Sequence, residues 1–345
     1  MPEDQGMVEM TGAEALHFAQ NLALEKDESV YLLGEGVADP KGVFSTTTGF
    51  AERYGKDRII ETPISENAFT GVAIGSAMLG HRPIVIHQRV EFALLAIEQI
   101  FNNAAKAHYV TNGVHRVPLV IRLIVGRGWG QGPLHSQSLE STFAYIPGLK
   151  VVLPSTPNEC KNLLLASIKD DNPVIFIEHR WVHYGRGLVD TSYEVPSLSG
   201  PKRIREGDAI TVVASSYMLL ETLVVVDALE REGHKVELFD LRVVRPLQLE
   251  EIYCSVSRTG LLLVIDTGSK SFGPGAEISA QVTEHCFANL RKAPRRIGLP
   301  DHPTPSSLTL ASEYYPSLGI ITKEICDLIE AESTVAARVK DQLEE

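Results

Sequence analysis

The chain has 345 residues, of which 44% are hydrophobic and 22% are charged, an ordinary balance for a folded globular protein. This length is enough for two domains that each bury a core. The formal net charge of −12 disfavours nucleic acid as a partner, because phosphate binding requires a basic face. The apolar runs are too short to span a bilayer, and the acidic, polar N terminus differs from a signal or transit peptide. We therefore expect a cytoplasmic protein without a membrane segment.

Helices and strands alternate along the first 185 residues. Helical periodicity covers 11–26, 92–109 and 157–168, and a helix-like segment contains Phe50 and Tyr54. Predicted strands lie at 30–33, 83–86, 117–123, 151–154 and 173–178, and a further strand ends at Ile60. The strand at 117–123 is almost continuously apolar, as in a parallel sheet covered on both faces. This alternation predicts an α/β domain that spans 1–185.

The rest of the chain predicts a linker, a second α/β domain and a tail. The linker is expected at 186–206, a stretch that is rich in Gly, Pro, Ser and Arg and has little periodicity. The second domain is expected at 207–332, with strands at 209–214, 235–240, 260–265 and 294–298 and helices at 217–232, 248–256 and 275–288. The polar segment 333–345 predicts a frayed terminal helix. The fold class is therefore α/β, with two parallel-sheet domains.

Glu66 stands at a predicted turn from a strand to a helix. Pro63 excludes a helix immediately before the turn, and Ser65 or Asn67 can cap the helix that follows. A carboxylate between apolar neighbours loses water and can share a proton with a nitrogen base. The alternative is an ordinary first-turn glutamate that the helix dipole favours.

The segment 63–66 and its helix resemble the beta subunit of the thiamine diphosphate-dependent decarboxylating component of 2-oxoacid dehydrogenase complexes, in the transketolase-like superfamily. Further blocks that resemble the same subunit lie in the expected order at 135–137, 147–152, 240–246 and 272–277. The resemblance covers nearly the whole chain. The resemblance implies an N-terminal pyrimidine-binding domain and a C-terminal transketolase-like domain.

The resemblance also implies roles for single residues. Glu66 would hydrogen-bond a ring nitrogen of the cofactor's aminopyrimidine, Phe92 would pack on that pyrimidine, and Gln88 would lie close to the cofactor. His135 would hydrogen-bond the substrate carboxylate or the acyl acceptor. The alternatives are a helix-core aromatic for Phe92 and a solvent-facing loop histidine for His135.

Three polar residues near Gln88 depart from the apolar or small residues expected in pyruvate-type members: His87, Arg89 and Glu91. If they face the cavity, His87 and Arg89 are candidates for substrate binding, with Arg89 as a clamp for an anionic substrate. The alternative is an ion cluster on a solvated face.

Two metal sites follow from the resemblance. Some relatives hold a structural potassium ion. The positions of this chain that match its ligands are Leu119, Ser167, Ile168, Asp170 and Asn172, whose oxygens suit a hard cation.

Thiamine diphosphate enzymes hold magnesium and the diphosphate with a Gly-Asp-Gly motif, which this sequence lacks. An alpha subunit would therefore hold the Mg²⁺, in an α2β2 heterotetramer. Gly71 and Gly75, one helical turn apart, give a helix face that another helix can approach closely, which suits a site where two helices or two subunits meet.

The implied activity is decarboxylation of a 2-oxo acid and transfer of the acyl unit to the lipoyl group of an acyltransferase component. One alternative is a split transketolase-like carboligase that passes a two-carbon or acyl unit to an aldehyde. Another is a non-catalytic structural or regulatory subunit. The 2-oxo acid itself is not specified by these residues.

Overall fold

The structure is a computed structural model, and it describes residues 6–128 and 130–344. The chain forms two compact units. The first runs to Arg127 and continues from Leu134 to Leu198. The second begins at Ser199 and also takes in the described residues of the segment Gly128–Pro133. No helix within the described residues is both long enough and apolar enough to cross a membrane.

The first unit is built on a parallel sheet. Its strands are β1 (Met7–Thr11), β2 (Val30–Gly34), β3 (Ile59–Glu61), β4 (Arg82–His87), β5 (Val120–Val125), β6 (Lys150–Val152), β7 (Val174–His179) and β8 (Arg186–Asp190). Its helices are α1 (Gly12–Lys26), α2 (Phe50–Tyr54), α3 (Glu66–Met78), α4 (Ala105–Val110), α5 (Glu140–Ala144) and α6 (Pro157–Lys169). Six strands run parallel in the order β6-β7-β5-β4-β2-β3, and β1 pairs with β8 as a separate antiparallel ribbon.

The parallel arrangement of these strands indicates where a ligand site can lie. Every residue of β5 is buried, as the apolar run predicted, and β5 lies between β4 and β7. On one face α1 packs against α6, and a capping box between Thr11 and Glu14 fixes the start of α1. Because the strands are parallel, their carboxyl ends meet at one edge, where ligands bind in open α/β sheets. The loops after β2, β3, β4 and β7 all leave from this edge.

Two local expectations in this unit are wrong. The helix expected at 92–109 is not one α-helix: a 3₁₀ segment (Val90–Ala96) and a π segment (Gln99–Ala104) precede α4. Apolar spacing predicts a helix but does not distinguish these hydrogen-bonding patterns. Ser65 occupies the N-cap position of α3, yet its hydroxyl donates to the Pro63 carbonyl oxygen at 3.1 Å and does not cap the helix. Asn67 also fails to cap, because its side chain donates to the Leu95 carbonyl oxygen.

The second unit is also a parallel-rich sheet with helices. Its strands are β9 (Lys202–Arg205), β10 (Ile210–Ala214), β11 (Val236–Asp240), β12 (Val243–Arg245), β13 (Leu262–Ser269) and β14 (Arg295–Leu299). Its helices are α7 (Tyr217–Arg231), α8 (Glu250–Thr259), α9 (Pro274–Cys286), α10 (Leu308–Tyr314), α11 (Leu318–Ile329) and α12 (Ser333–Glu344). The sheet order is β14-β13-β10-β11-β9, with β9 antiparallel at one edge.

Two stretches expected to be irregular are ordered elements. The predicted linker 186–206 contains β8 and β9, whose partners are distant in sequence. The predicted frayed tail is α12, whose Val335 and Val339 are 5% and 0% exposed and belong to the core of the second unit. Valines four residues apart give α12 one narrow apolar stripe, which a composition dominated by polar residues conceals.

Candidate active site

Glu66 is the first residue of α3, and only 7% of it is exposed. It lines a small recess at the carboxyl edge of the first unit's sheet. The residues around this recess are Glu35, Glu66, Phe69, Ile86, His87, Gln88 and Phe92. In the part of the chain that the structure describes, no side chain or main-chain group hydrogen-bonds the Glu66 carboxylate. A buried carboxylate without a protein partner is placed to accept or share a proton with a bound group.

The loop after β2 is held against this recess by two side chains. The Glu61 carboxylate accepts hydrogen bonds from the backbone N–H of Gly36 at 2.6 Å and of Ala38 at 2.9 Å. The Gln88 amide donates to the Glu35 carbonyl oxygen at 3.0 Å. A side chain at Gly36, which has φ +75°, would lie 2.8 Å from the Gln88 amide nitrogen, so this close approach requires glycine.

Glu35 is a recess residue that the sequence did not single out. Burial raises the pKa of the Glu35 carboxyl, and the negative charges of Glu66 and Glu61 raise it further. Two carboxylates that share one recess disfavour each other's charge. The sequence signal was the Gly-Glu-Gly turn directly after a buried strand, but only the fold brings that turn beside Glu66.

His87 ends β4 and is a neutral side chain. It is 2% exposed, its ring centroid lies 5.2 Å from that of Phe69, and its Nε2 lies 3.4 Å from the Thr70 hydroxyl. Burial lowers the pKa of His87 to about 3. His87 therefore lines the recess, where it offers hydrogen bonding and apolar surface and no positive charge, and its contact with a substrate stays a prediction.

Phe92 and His135 extend the site. Phe92 lines the recess, and its ring meets the His135 ring edge to face at a centroid distance of 5.6 Å. The buried Nδ1 of His135 has no hydrogen-bond partner among the described residues. The Glu91 carboxylate accepts a hydrogen bond from the Gln137 N–H at 2.7 Å, which ties down the chain next to His135. The structure thus brings Glu66, Gln88, Phe92 and His135 to one place.

Arg89 is buried but does not line the recess. Its exposed fraction is 9% and that of Glu91 is 8%, so the alternative of a solvated ion cluster is wrong. The Arg89 guanidinium donates to the Gln88 carbonyl oxygen at 2.9 Å and stacks 4.8 Å from the centroid of the Phe44 ring. It therefore lies against the loop after β2 and is not among the residues that line the recess.

The residues predicted to hold potassium have other partners. The carbonyl oxygens of Ile168 and Asp170 accept hydrogen bonds from the Arg82 guanidinium at 3.0 and 3.1 Å, and the Asp170 carboxylate pairs with Lys150. The Leu119 carbonyl oxygen accepts a hydrogen bond from the Val174 N–H. The Ser167 hydroxyl and the Asn172 amide act as donors, to the Leu163 carbonyl oxygen and the Asp170 carboxylate, and these bonds do not occupy their own oxygens. Because two cationic side chains already contact the Ile168 and Asp170 oxygens, the contacts favour an internal ion network over a potassium ion, and the potassium site stays a prediction.

Comparison with known proteins identifies the family. The model of the transketolase pyrimidine-binding domain matches residues 8–182, and that of the transketolase C-terminal domain matches residues 201–321. The 2-oxoisovalerate dehydrogenase subunit beta of Bacillus subtilis is 36% identical over 307 residues, which are 89% of this chain and 94% of that protein. The chain belongs to the family of beta subunits of 2-oxoacid dehydrogenase E1 components.

Other relatives of this beta subunit have different names. The pyruvate dehydrogenase E1 component subunit beta of Rickettsia bellii is 36% identical over 90% of this chain and 95% of its own length. The acetoin:2,6-dichlorophenolindophenol oxidoreductase subunit beta of Cupriavidus necator is 37% identical over 89% of this chain and 94% of its own length. A split-gene transketolase, solved as an inactive beta4 tetramer, has a TM-score of 0.75 at 18% identity, covers 93% of this chain and 98% of its own, and shows the fold alone. The family and the two-domain α/β fold predicted from the sequence are confirmed.

Proposed function

We propose that this beta subunit activates thiamine diphosphate for decarboxylation of a 2-oxo acid and transfer of the acyl unit, with Glu66 as the proton-sharing group. The observation that carries the proposal is the buried Glu66 carboxylate, which has no hydrogen-bond partner among the described residues and stands at the carboxyl edge of a parallel sheet. When bound, thiamine diphosphate supplies the electron sink that makes loss of carbon dioxide possible. The protein would position the cofactor, share a proton with it through Glu66 and exclude water from the site.

The recess fits the pyrimidine end of such a cofactor. Glu66 would hold a proton against a ring nitrogen, and the half-buried ring of Phe92 would cover one face of the pyrimidine. Gln88 would keep its side chain in place through its hydrogen bond to the Glu35 carbonyl oxygen. The neutral His87 would add a hydrogen-bonding and apolar wall without bringing a competing positive charge towards Glu66.

His135 is proposed to contact the reacting substrate. Its unpartnered Nδ1 and its edge-to-face contact with Phe92 support a position next to the cofactor. An imidazole there can donate a hydrogen bond to the carboxylate of a 2-oxo acid or move a proton to the acyl acceptor. The hydrogen bond between Glu91 and Gln137 would limit the movement of this histidine.

We propose that an alpha subunit completes the site with Mg²⁺ and the diphosphate ligands, in an α2β2 assembly. The missing Gly-Asp-Gly motif supports this, because a diphosphate is poorly held without a divalent ion and its oxygen ligands. Exposed apolar residues along α3 also support a partner on this side of the unit. Ile64 in the turn before α3, Val72 within it and Leu79 at its C-cap are 81%, 65% and 86% exposed. A cytoplasmic location and a lipoyl acyltransferase as the acyl acceptor stay predictions.

The test is Glu66→Gln in the beta subunit co-expressed with its alpha partner. We expect normal assembly and a loss of cofactor-dependent decarboxylation of roughly 10²–10⁴-fold, as for removal of a general acid–base group. Glu52→Gln is the matched control, because Glu52 is an exposed glutamate of α2 in the same unit. Turnover of the Glu66 variant close to that of the control would reject the role. Supplying either lipoamide or an aldehyde as acceptor separates the dehydrogenase from the carboligase.

A further inference from the structure

A second cavity lies at the carboxyl edge of the first unit's sheet. Its volume is about 570 Å³. The residues around it are Thr11, Ala13, Glu14, Lys41, Gly42, Phe44, Ser45, Arg180, His183 and Tyr184. This set shares no residue with the recess around Glu66. A cavity of this volume is large enough for a small metabolite.

Two arginines lie over the Phe44 ring, and one of them, Arg180, lines the cavity. The Arg180 guanidinium lies 4.2 Å from the Phe44 ring centroid and the Arg89 guanidinium lies 4.8 Å from it. Phe44 has φ 48° and ψ 42°, and Ser45 has φ 66°, so two successive non-glycine residues adopt the left-handed conformation. Such backbone costs on the order of 1–3 kcal/mol per residue and persists where the surroundings impose it, often at ligand sites. The Thr47 hydroxyl, which accepts from the Val43 N–H at 2.9 Å, helps to hold this turn.

Arg180 is held in position by the buried His183 and by the hydroxyl of the exposed Tyr184. Its guanidinium donates to His183 Nδ1 at 2.8 Å and to the Tyr184 hydroxyl at 2.7 Å. Because His183 Nδ1 accepts, its proton is on Nε2, which donates to the Glu178 carboxylate at 3.1 Å. Arg122 pairs with the other oxygen of that carboxylate at 2.6 Å. These contacts fix the Arg180 side chain before any ligand arrives.

The arrangement concentrates positive charge. Burial lowers the pKa of Arg180 and of Arg89. The Glu178 charge raises the pKa of Arg180 and the Glu91 charge raises that of Arg89, but burial outweighs both, and the charge of Arg180 lowers the pKa of Arg89 further. The nearby Glu178 charge is used by Arg122 and His183, and the Glu14 carboxylate is used by the capping box of α1. Lys41 adds a further cation to the cavity wall. In a chain with a net charge of −12, a partly desolvated cationic cavity of this kind attracts anions.

We infer that this cavity binds the anionic group, a carboxylate or a phosphate, of a small molecule, with Arg180 as the main contact and Lys41 on the cavity wall. The planar guanidinium fork matches two oxygens of either group, and the Phe44 ring limits its movement. The inference does not depend on thiamine diphosphate or on Glu66, because the two cavities have different walls and the binding can be measured without catalysis.

The test is calorimetric titration of the full-length chain with inorganic phosphate and with malonate at low ionic strength. We expect binding by the wild type and at least tenfold weaker binding by Arg180→Gln, with Arg180→Lys in between because it keeps the charge and loses the fork. Arg205→Gln is the control, since Arg205 is a partly exposed arginine paired with Asp227 in the second unit. Tighter binding of malonate would indicate a carboxylate ligand, and tighter binding of phosphate a phosphorylated one.

A second variant guards against misfolding. If Arg180→Gln lowers the unfolding midpoint, Lys41→Gln replaces it, because Lys41 is an exposed residue of the cavity wall. We expect Lys41→Gln to weaken binding several-fold and to keep the wild-type midpoint. Absence of binding by the wild type, or unchanged affinity in a correctly folded Arg180→Gln or Lys41→Gln variant, would overturn the inference.

Discussion

The guanidinium of Arg122 lies 2.6 Å from the Glu178 carboxylate, and neither side chain has exposed surface. The same arginine donates to the Gln20 amide oxygen at 2.7 Å and to the Thr46 hydroxyl at 3.1 Å, so it ties β5 and β7 to α1 and to the loop after β2. Burial alone would raise the pKa of Glu178, but the charge of Arg122 and the hydrogen bond from His183 outweigh it and lower that pKa.

Removing one partner of this pair should be costly. We expect Arg122→Met to lose about 3–5 kcal/mol of unfolding free energy, because it leaves a buried carboxylate without its main counter-charge. The double variant Arg122→Met with Glu178→Met should recover part of this loss. Urea unfolding at pH 7 measures both. A single-variant loss close to zero would show that other groups compensate the Glu178 charge.

The buried His87 should make stability depend on pH. Its folded pKa is about 3, well below the ordinary histidine value of 6.5, so between these values the unfolded chain binds one proton more than the folded chain. This contribution is complete above pH 6.5 and is lost as the pH falls, by about 1.4 kcal/mol per pH unit.

The measurement compares unfolding free energies at pH 7.5 and pH 5. The wild type should lose about 2 kcal/mol more between these two values than His87→Phe does, since the phenyl ring has no proton to bind. Phe69→Leu is the control, because it alters the packing on the same imidazole and keeps the titrating group. Equal pH dependence of the wild type and His87→Phe would contradict a neutral buried histidine.

Two glycines with the same backbone angle provide a matched pair. Gly148 has φ +100°, and a Cβ there would lie 1.9 Å from the Ala105 carbonyl oxygen. Gly80 has φ +101° and nothing within 4 Å of the same position. We expect Gly80→Ala to cost about 1–2 kcal/mol from backbone strain alone. Gly148→Ala should cost clearly more, because the chain must move away from Ala105, and thermal unfolding of the two variants would show it. Equal midpoints would mean that the Gly148 turn has room to shift.

The predicted potassium site should be indifferent to potassium. Because Arg82 and Lys150 already satisfy the Ile168 and Asp170 oxygens, replacing KCl by NaCl at constant ionic strength should leave the unfolding midpoint unchanged. Arg82→Gln, which removes the guanidinium from these oxygens and from Asp171, should lower the midpoint in both salts. Stabilisation by K⁺ but not by Na⁺ in the wild type would support the potassium assignment.

Local sequence patterns were sufficient for the architecture. Runs of apolar residues marked the parallel strands of both sheets, and the alternation with helices gave the α/β class. The segment around Glu66 was recognised from its own residues, because Pro63 and the small-residue helix after it are neighbours in the chain. The type of helix could not be read from apolar spacing between 90 and 110, where 3₁₀, π and α segments share a similar spacing. The terminal helix was missed because its narrow apolar stripe, which includes Val339, lies among polar residues.

The tertiary structure alone decided the contacts that join distant segments. It turned Arg89 towards Phe44, brought Glu35 beside Glu66, placed Arg82 on the carbonyl oxygens of residues 168 and 170, and made strands of the stretch expected to be a linker. In each case the partner is many residues away or on another element. The hydrophobic periodicity of a segment predicts which of its faces packs on the core. Which distant residue a given side chain contacts depends on the segments that the fold brings together.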